Sequence, residues 1–217
     1  GRGLSSWARD AATDYSYAAY GEHAVAILDH FGIAKLRWVG TSMGGLLGVT
    51  LAAGVLKDRI THLVVNDIGP SLPGEAARRI AGYVGSPPVF ATMAELEHWL
   101  RTNYAPFGKN SEEFWRRMTD TSARRTDKGA VTVHYDPQIV TQFTLHRGDL
   151  DCWHHWDSVV ARTLLLRGKD SDVLPAAVAG EMLRRGPRPQ LIEFEGCGHA
   201  PTLATAEQQQ AIREFLA

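Results

Sequence analysis

The chain has 217 residues, 44% of them hydrophobic, with 23 Lys and Arg against 24 Asp and Glu, enough for one sizeable core and for one domain carrying an insertion. The net charge of −1, with Arg78-Arg79, Arg116-Arg117, Arg124-Arg125 and Arg184-Arg185 scattered along the chain, excludes the basic stripe of a nucleic-acid binder. No apolar run approaches the roughly 20 residues that span a bilayer and no basic-then-apolar segment opens the chain, so no membrane partner is expected and a cytoplasmic protein is the default.

In chain order, Gly1 to Ser6 reads as a flexible turn, and the polar stretch to Ser16 as loop. Tyr20, Ala24, Ile27, Leu28 and Phe31 repeat at helical spacing, predicting a helix from Tyr17 to Phe31 that Gly32 stops. Leu36 to Val39 can make a strand, and Gly45 to Ala53 a buried helix. His62 to Asn66 and Thr163 to Leu166 are continuous apolar runs, as in parallel strands covered on both faces. Gln190 to Glu195 alternates better and is expected nearer the sheet edge. Thr205 to Leu216 closes the chain as a helix, with Thr205 and Gln208 spaced as a capping box. Helix and strand alternate, so the fold class is α/β with a mostly parallel sheet and helices on both faces.

About ninety residues separate the second and third strands, where a crossover needs about a dozen. We read this excess as a helical insertion, with helices at Met93–Thr102 and Ser111–Thr121, lying over the carboxyl ends of the strands where ligands bind in open α/β sheets. The organisation expected is core at 1–70, helical cap at 71–158 and core at 159–217.

Between the first strand and its helix lies Gly40-Thr41-Ser42-Met43-Gly44, a G-x-S-x-G stretch. A strand that turns sharply into a helix at a serine is a nucleophile elbow. It projects the hydroxyl and leaves the residues two before and two after too crowded for side chains, which would account for Gly40 and Gly44. The Met43 N–H, at the helix N-terminus, would face the oxygen that becomes negative when a carbonyl is attacked. Of nine histidines, His199 stands out, in a loop after the last strand between Gly198 and Ala200-Pro201, where it could take the proton from Ser42. The carboxylate for its other ring nitrogen is assigned to Asp172, after the third strand, with Asp170 the near rival and Asp67, at the end of the second strand, the distant one.

These residues resemble the α/β-hydrolase superfamily over the whole chain. Gly1-Arg2-Gly3-Leu4-Ser5 is similar to the family's turn after strand four, Gly40 to Gly45 to its elbow, Asn66 to Pro70 to its sixth-strand end, and Gly196 to Pro201 to its histidine loop. The resemblance implies Ser42 as nucleophile, His199 as base and the acid on or beside Asp172. Many members carry the acid three residues after the glycine, which here is Ser171, and some carry it after strand six, which is Asp67. It also implies strands one to four and a second oxyanion donor ahead of Gly1. The elbow strand would then have an exposed edge and apolar face unless a preceding segment, or a second chain, completed the sheet.

The expected activity is hydrolysis of a small, partly apolar ester or related carbonyl substrate through an acyl-enzyme, without cofactor. The alternatives are C–C bond hydrolysis of a diketone-type substrate, a haloperoxidase-like side activity, and a non-catalytic binding module of the same fold. Asp149, Asp151, Cys152, His154 and His155 are ligand types within seven residues, but on one helix His154 and His155 would point about 100° apart, and Trp153 and Trp156 fit better as a junction between cap and core, so no metal is expected. Cys152 and Cys197 lack C-x-x-C spacing and read as free thiols.

Overall fold

The computed structural model describes residues 1–146 and 151–217. The elements run α1 (Ala11–Asp14), α2 (Tyr17–His30), β1 (Leu36–Thr41), α3 (Met43–Ala53) and β2 (Ile60–Asn66), then α4 (Gly74–Val84), α5 (Met93–Asn103), α6 (Glu112–Ser122), β3 (Ala123–Arg125), β4 (Val131–Val133), α7 (Thr141–Thr144) and α8 (Trp153–Ser158). The chain closes with β5 (Arg162–Gly168), α9 (Ala176–Met182), β6 (Gln190–Phe194) and α10 (Ala206–Leu216). β1, β2, β5 and β6 form a parallel sheet in that order, with β6 at one edge and β1 at the other.

Side chains alternate across a strand, which explains why the runs of β2 and β5 are continuously apolar. Leu63, Val65 and Leu165 point to one face, where α2, α3, α8 and α9 supply Leu28, Leu46, Val49, Trp156 and Met182. Val64, Leu164 and Leu166 point to the other, against Phe194 and the Phe215 of α10. Val39 on edge strand β1 is 44% exposed.

Local signals set most helix ends. Ser16, Thr92, Ser111 and Thr205 each accept a backbone N–H three residues on as N-caps, and Gly32 ends α2 at φ +62°. Only half of the expected capping box at α10 forms, because Gln208 Oε1 is buried without a partner among the described residues. α2 is turned from the expected face: Tyr17, Gly21 and Leu28 are buried, whereas Ile27 and Phe31 stay exposed. The stretch read as loop to Ser16 contains α1, capped by Asp10.

Between β2 and β5, α5 and α6 lie within a residue or two of expectation. The sequence reading missed α4 and the antiparallel β3–β4 hairpin. Val131 and Val133 of that hairpin pack with Leu96 and Leu100 of α5 in a small core of their own. Three-residue strands are too short for alternation to be read.

Candidate active site

β1 delivers the chain to Ser42 at φ 52° and ψ −120°, and α3 begins at the next residue. A non-glycine residue at positive φ costs on the order of 1–3 kcal/mol and persists only where its surroundings hold it. Here the Ser42 N–H donates to the Asn66 carbonyl at 2.9 Å, while the Ser42 carbonyl accepts from Gly45 and Leu46 at 2.8 and 3.1 Å.

The crowding expected at both motif glycines is found at one. A Cβ on Gly40 would lie 2.1 Å from the Gly44 carbonyl oxygen, but a Cβ on Gly44 would meet nothing within 4 Å. The second crowded position is Gly45, whose Cβ would lie 2.8 Å from Ile68 Cγ2 and 2.9 Å from the Gly40 carbonyl oxygen. The helix turns Gly44 away from the sheet and Gly45 onto it. The Met43 N–H, first in α3, donates to no acceptor among the described residues.

His199 reaches Ser42 from the loop after β6. Its Nε2 is 3.0 Å from Ser42 Oγ and its Nδ1 is 2.8 Å from Asp67 Oδ2. Asn66 helps to fix that loop, donating from Nδ2 to the Pro201 carbonyl at 2.8 Å and to Thr41 Oγ1 at 3.0 Å. The inserted segment fixes it from the other side, as the Gly198 N–H donates to the Pro106 carbonyl at 2.7 Å.

The carboxylate facing His199 is therefore Asp67, and the expectation for Asp172 is corrected. Asp172 is half exposed and takes a two-pronged contact from Arg79 Nε and Nη2, with its shortest N–O distance 2.8 Å. Asp170 is also exposed. Asp67 is fully buried. Its Oδ1 accepts the Gly168 N–H at 2.8 Å, and its Oδ2 accepts the Ser171 hydroxyl at 2.7 Å as well as His199. These donors satisfy oxygens that would be costly to bury unpaired. Ser171 occupies the place where the resemblance put an acid, and supplies a hydroxyl to the acid from β2.

Ser42 and Met43 open onto a cavity of about 240 Å³. Its floor includes Leu46 and Ile68, and its roof comes from the inserted segment through Ile80, Tyr83, Tyr104 and Phe143. Burial raises the phenol pKa of Tyr83 and Tyr104, and that of Tyr135 to about 12, so these hydroxyls stay neutral at ordinary pH. Arg2 and Gln142 are cavity-lining residues that the sequence reading passed over. The Gly-Arg-Gly turn was visible, but nothing local shows where its side chain goes.

No group of three metal-ligating side chains occurs among the described residues; Asp149, one of the candidates weighed above, lies outside them. Cys197 is buried within the histidine loop with its thiol pKa raised to about 11 by burial and by Asp67 and Asp170. No helix among the described residues is long and apolar enough to cross a membrane.

A serine hydroxyl that can donate to an imidazole, itself held by a buried carboxylate, can give up its proton as its oxygen attacks an electrophilic carbon. Hydrolases are among the proteins this chain is similar to. A 3-hydroxybutyrate-oligomer hydrolase of Cupriavidus necator is 34% identical over 99% of this chain and 76% of its own length. A 2-hydroxymuconate semialdehyde hydrolase of Pseudomonas putida is 26% identical over 96% of this chain and 72% of its own. The crystal structure of an alpha/beta hydrolase from Novosphingobium aromaticivorans superposes with a TM-score of 0.87 at 33% identity, covering 100% of this chain and 76% of that one. Residues 1–213 match the Alpha/beta hydrolase family, to which this chain belongs, and it is a hydrolase.

Proposed function

We propose that the protein is a serine hydrolase of small carboxylic esters, with Ser42 as nucleophile, His199 as general base and acid, and Asp67 as the carboxylate that orients and stabilises the imidazolium. The observation carrying this reading is the unbroken line Asp67–His199–Ser42, with contacts of 2.8 and 3.0 Å. His199 takes the Ser42 proton as Oγ attacks the ester carbonyl. The Met43 N–H is one donor to the resulting oxyanion, and His199 then returns the proton to the leaving alcohol. Water, activated by the same imidazole, releases the acid from the acyl-enzyme.

The segment 71–158 acts as the cap, because its side chains roof the cavity over Ser42. An ester is favoured because the relative at 34% identity is named as a hydrolase of 3-hydroxybutyrate oligomers, and hydroxy-acid oligomers are joined through ester bonds. The mostly apolar cavity limits the substrate to a small one.

Intact mass after treatment with a fluorophosphonate serine probe tests the reading. One adduct on the wild-type protein and none on a folded Ser42→Ala variant is the expected result. An unlabelled wild-type protein, or equal labelling of the variant, would refute Ser42 as the nucleophile.

A further inference from the structure

Five arginines of the described residues are spent on carboxylates. Arg59 pairs with Asp29, Arg79 with Asp172, Arg101 with Glu97 and Glu112, Arg167 with Glu193, and Arg185 with Asp157 and Glu181. Arg2 is different. It lines the cavity beside Ser42, partly buried, with no carboxylate partner among the described residues. Its Nη1 donates to Tyr20 Oη at 3.1 Å, its Nη2 lies 3.5 Å from Met43 Sδ, and the guanidinium sits over the Tyr20 ring.

The placement of Arg2 is built. Its backbone pairs with Tyr135, the Gly3 N–H donates to the His134 carbonyl at 2.9 Å, and the Gly1 carbonyl accepts from Asp136 N–H at 2.8 Å. Three residues are thus stapled to the inserted segment on both sides of Arg2. A guanidinium is charged at every working pH and offers five N–H donors. A phenol oxygen and a thioether leave most of that capacity unused, and holding an uncompensated charge against apolar walls is unfavourable unless a ligand supplies the counter-charge.

A second observation points the same way. Gln142 of α7, 6% exposed, also lines the cavity, and its Oε1 is buried with no partner among the described residues. Its amide can turn to present either oxygen or N–H, so it adds an unsatisfied polar group to the cavity that Arg2 also lines. A guanidinium with spare donors and an amide oxygen without a partner among the described residues, in a cavity walled mostly by aliphatic and aromatic side chains, are the pattern of a pocket that orients one polar group of its ligand.

We infer that the substrate ester carries a free carboxylate and that Arg2 binds it while the ester carbonyl lies at Ser42, which makes Arg2 the residue that sets specificity for anionic esters. This rests on the hydrolase reading for the reaction, but the binding claim stands apart from it. A charge-assisted pair is stronger than a neutral hydrogen bond and discriminates against a neutral isostere of the same size.

The test uses 3-acetoxybutyrate and its primary amide, which share one ester bond and nearly one shape. Wild-type protein should turn over the carboxylate with kcat/KM about 10- to 100-fold above the amide, with the difference mainly in KM. Arg2→Gln should bring that ratio close to one, and Arg2→Lys should restore part of it. Binding is read separately by calorimetric titration of wild-type protein with 3-hydroxybutyrate and 3-hydroxybutanamide, the acid being expected to bind tighter. Equal turnover and equal binding of acid and amide by wild-type protein overturn the inference, and need no variant to fold. So does a preference that survives intact in Arg2→Gln. If Ser42 fails to take the fluorophosphonate while the acid still binds tighter through Arg2, the hydrolase mechanism falls and the inference on Arg2 is supported.

Discussion

Asp67 Oδ2 lies 2.8 Å from His199 Nδ1 across 132 residues of chain, while Asp172 faces outward to Arg79. Asp67→Asn should therefore lower kcat by about 10⁴-fold, the scale seen when the orienting carboxylate of a serine triad is neutralised. Asp172→Asn breaks an exposed ion pair of small worth, so kcat should stay within about twofold of wild type. Steady-state hydrolysis of a p-nitrophenyl ester by the two variants decides between them. The opposite ranking would return the acid to the loop after β5.

Ser171 holds Asp67 through its hydroxyl at 2.7 Å and also accepts the N–H groups of Val173 and Leu174 at 3.2 and 3.0 Å. Ser171→Ala leaves these buried groups a partner short. Stability to urea should fall by about 1–3 kcal/mol, and kcat should fall by much less than in Asp67→Asn, because Gly168 N–H and His199 still hold the carboxylate. Unchanged stability would mean that water replaces the hydroxyl.

The same cluster marks how far the sequence could be read. The four strands of the parallel sheet, the turn at Ser42 and the loop at His199 were legible because each rests on local pattern: an apolar run, a glycine spacing, a histidine between small residues. The partner of His199 was not. Asp67, Asp170 and Asp172 all follow strands of one sheet at its carboxyl end, and which of them turns inward depends on loop backbone that spacing does not encode. Asp67 sits at φ +57°, a conformation uncommon for aspartate and invisible in the sequence. Arg2 and Gln142 were hidden for a related reason, since they line one cavity only when the first residues pair with the inserted segment.

At the elbow, Gly45→Ala forces a methyl group against the Gly40 carbonyl and Ile68. Overpacking of that kind should cost about 1–3 kcal/mol. Gly44→Ala adds its methyl where nothing lies within 4 Å, and alanine favours a helix over glycine by about 1 kcal/mol, so stability should hold or rise. Urea denaturation of the two variants checks the order. A larger loss at Gly44 would contradict the close approach assigned to Gly45.

Cys197 lies in the histidine loop, two residues before His199, yet its surroundings make it a poor nucleophile. The thiol is 6% exposed, and its Sγ–H donates to the Phe194 carbonyl at 3.6 Å. Burial and the carboxylates of Asp67 and Asp170 raise its pKa to about 11. All three causes disfavour the thiolate, so little of the reactive form is present at pH 8. Native protein held with iodoacetamide at pH 8 should keep Cys197 unmodified and its ester turnover intact, while unfolded protein should alkylate readily. Peptide mass mapping reads both states. Fast alkylation of Cys197 in native protein, with activity lost in step, would shift the nucleophile from Ser42 to the thiol.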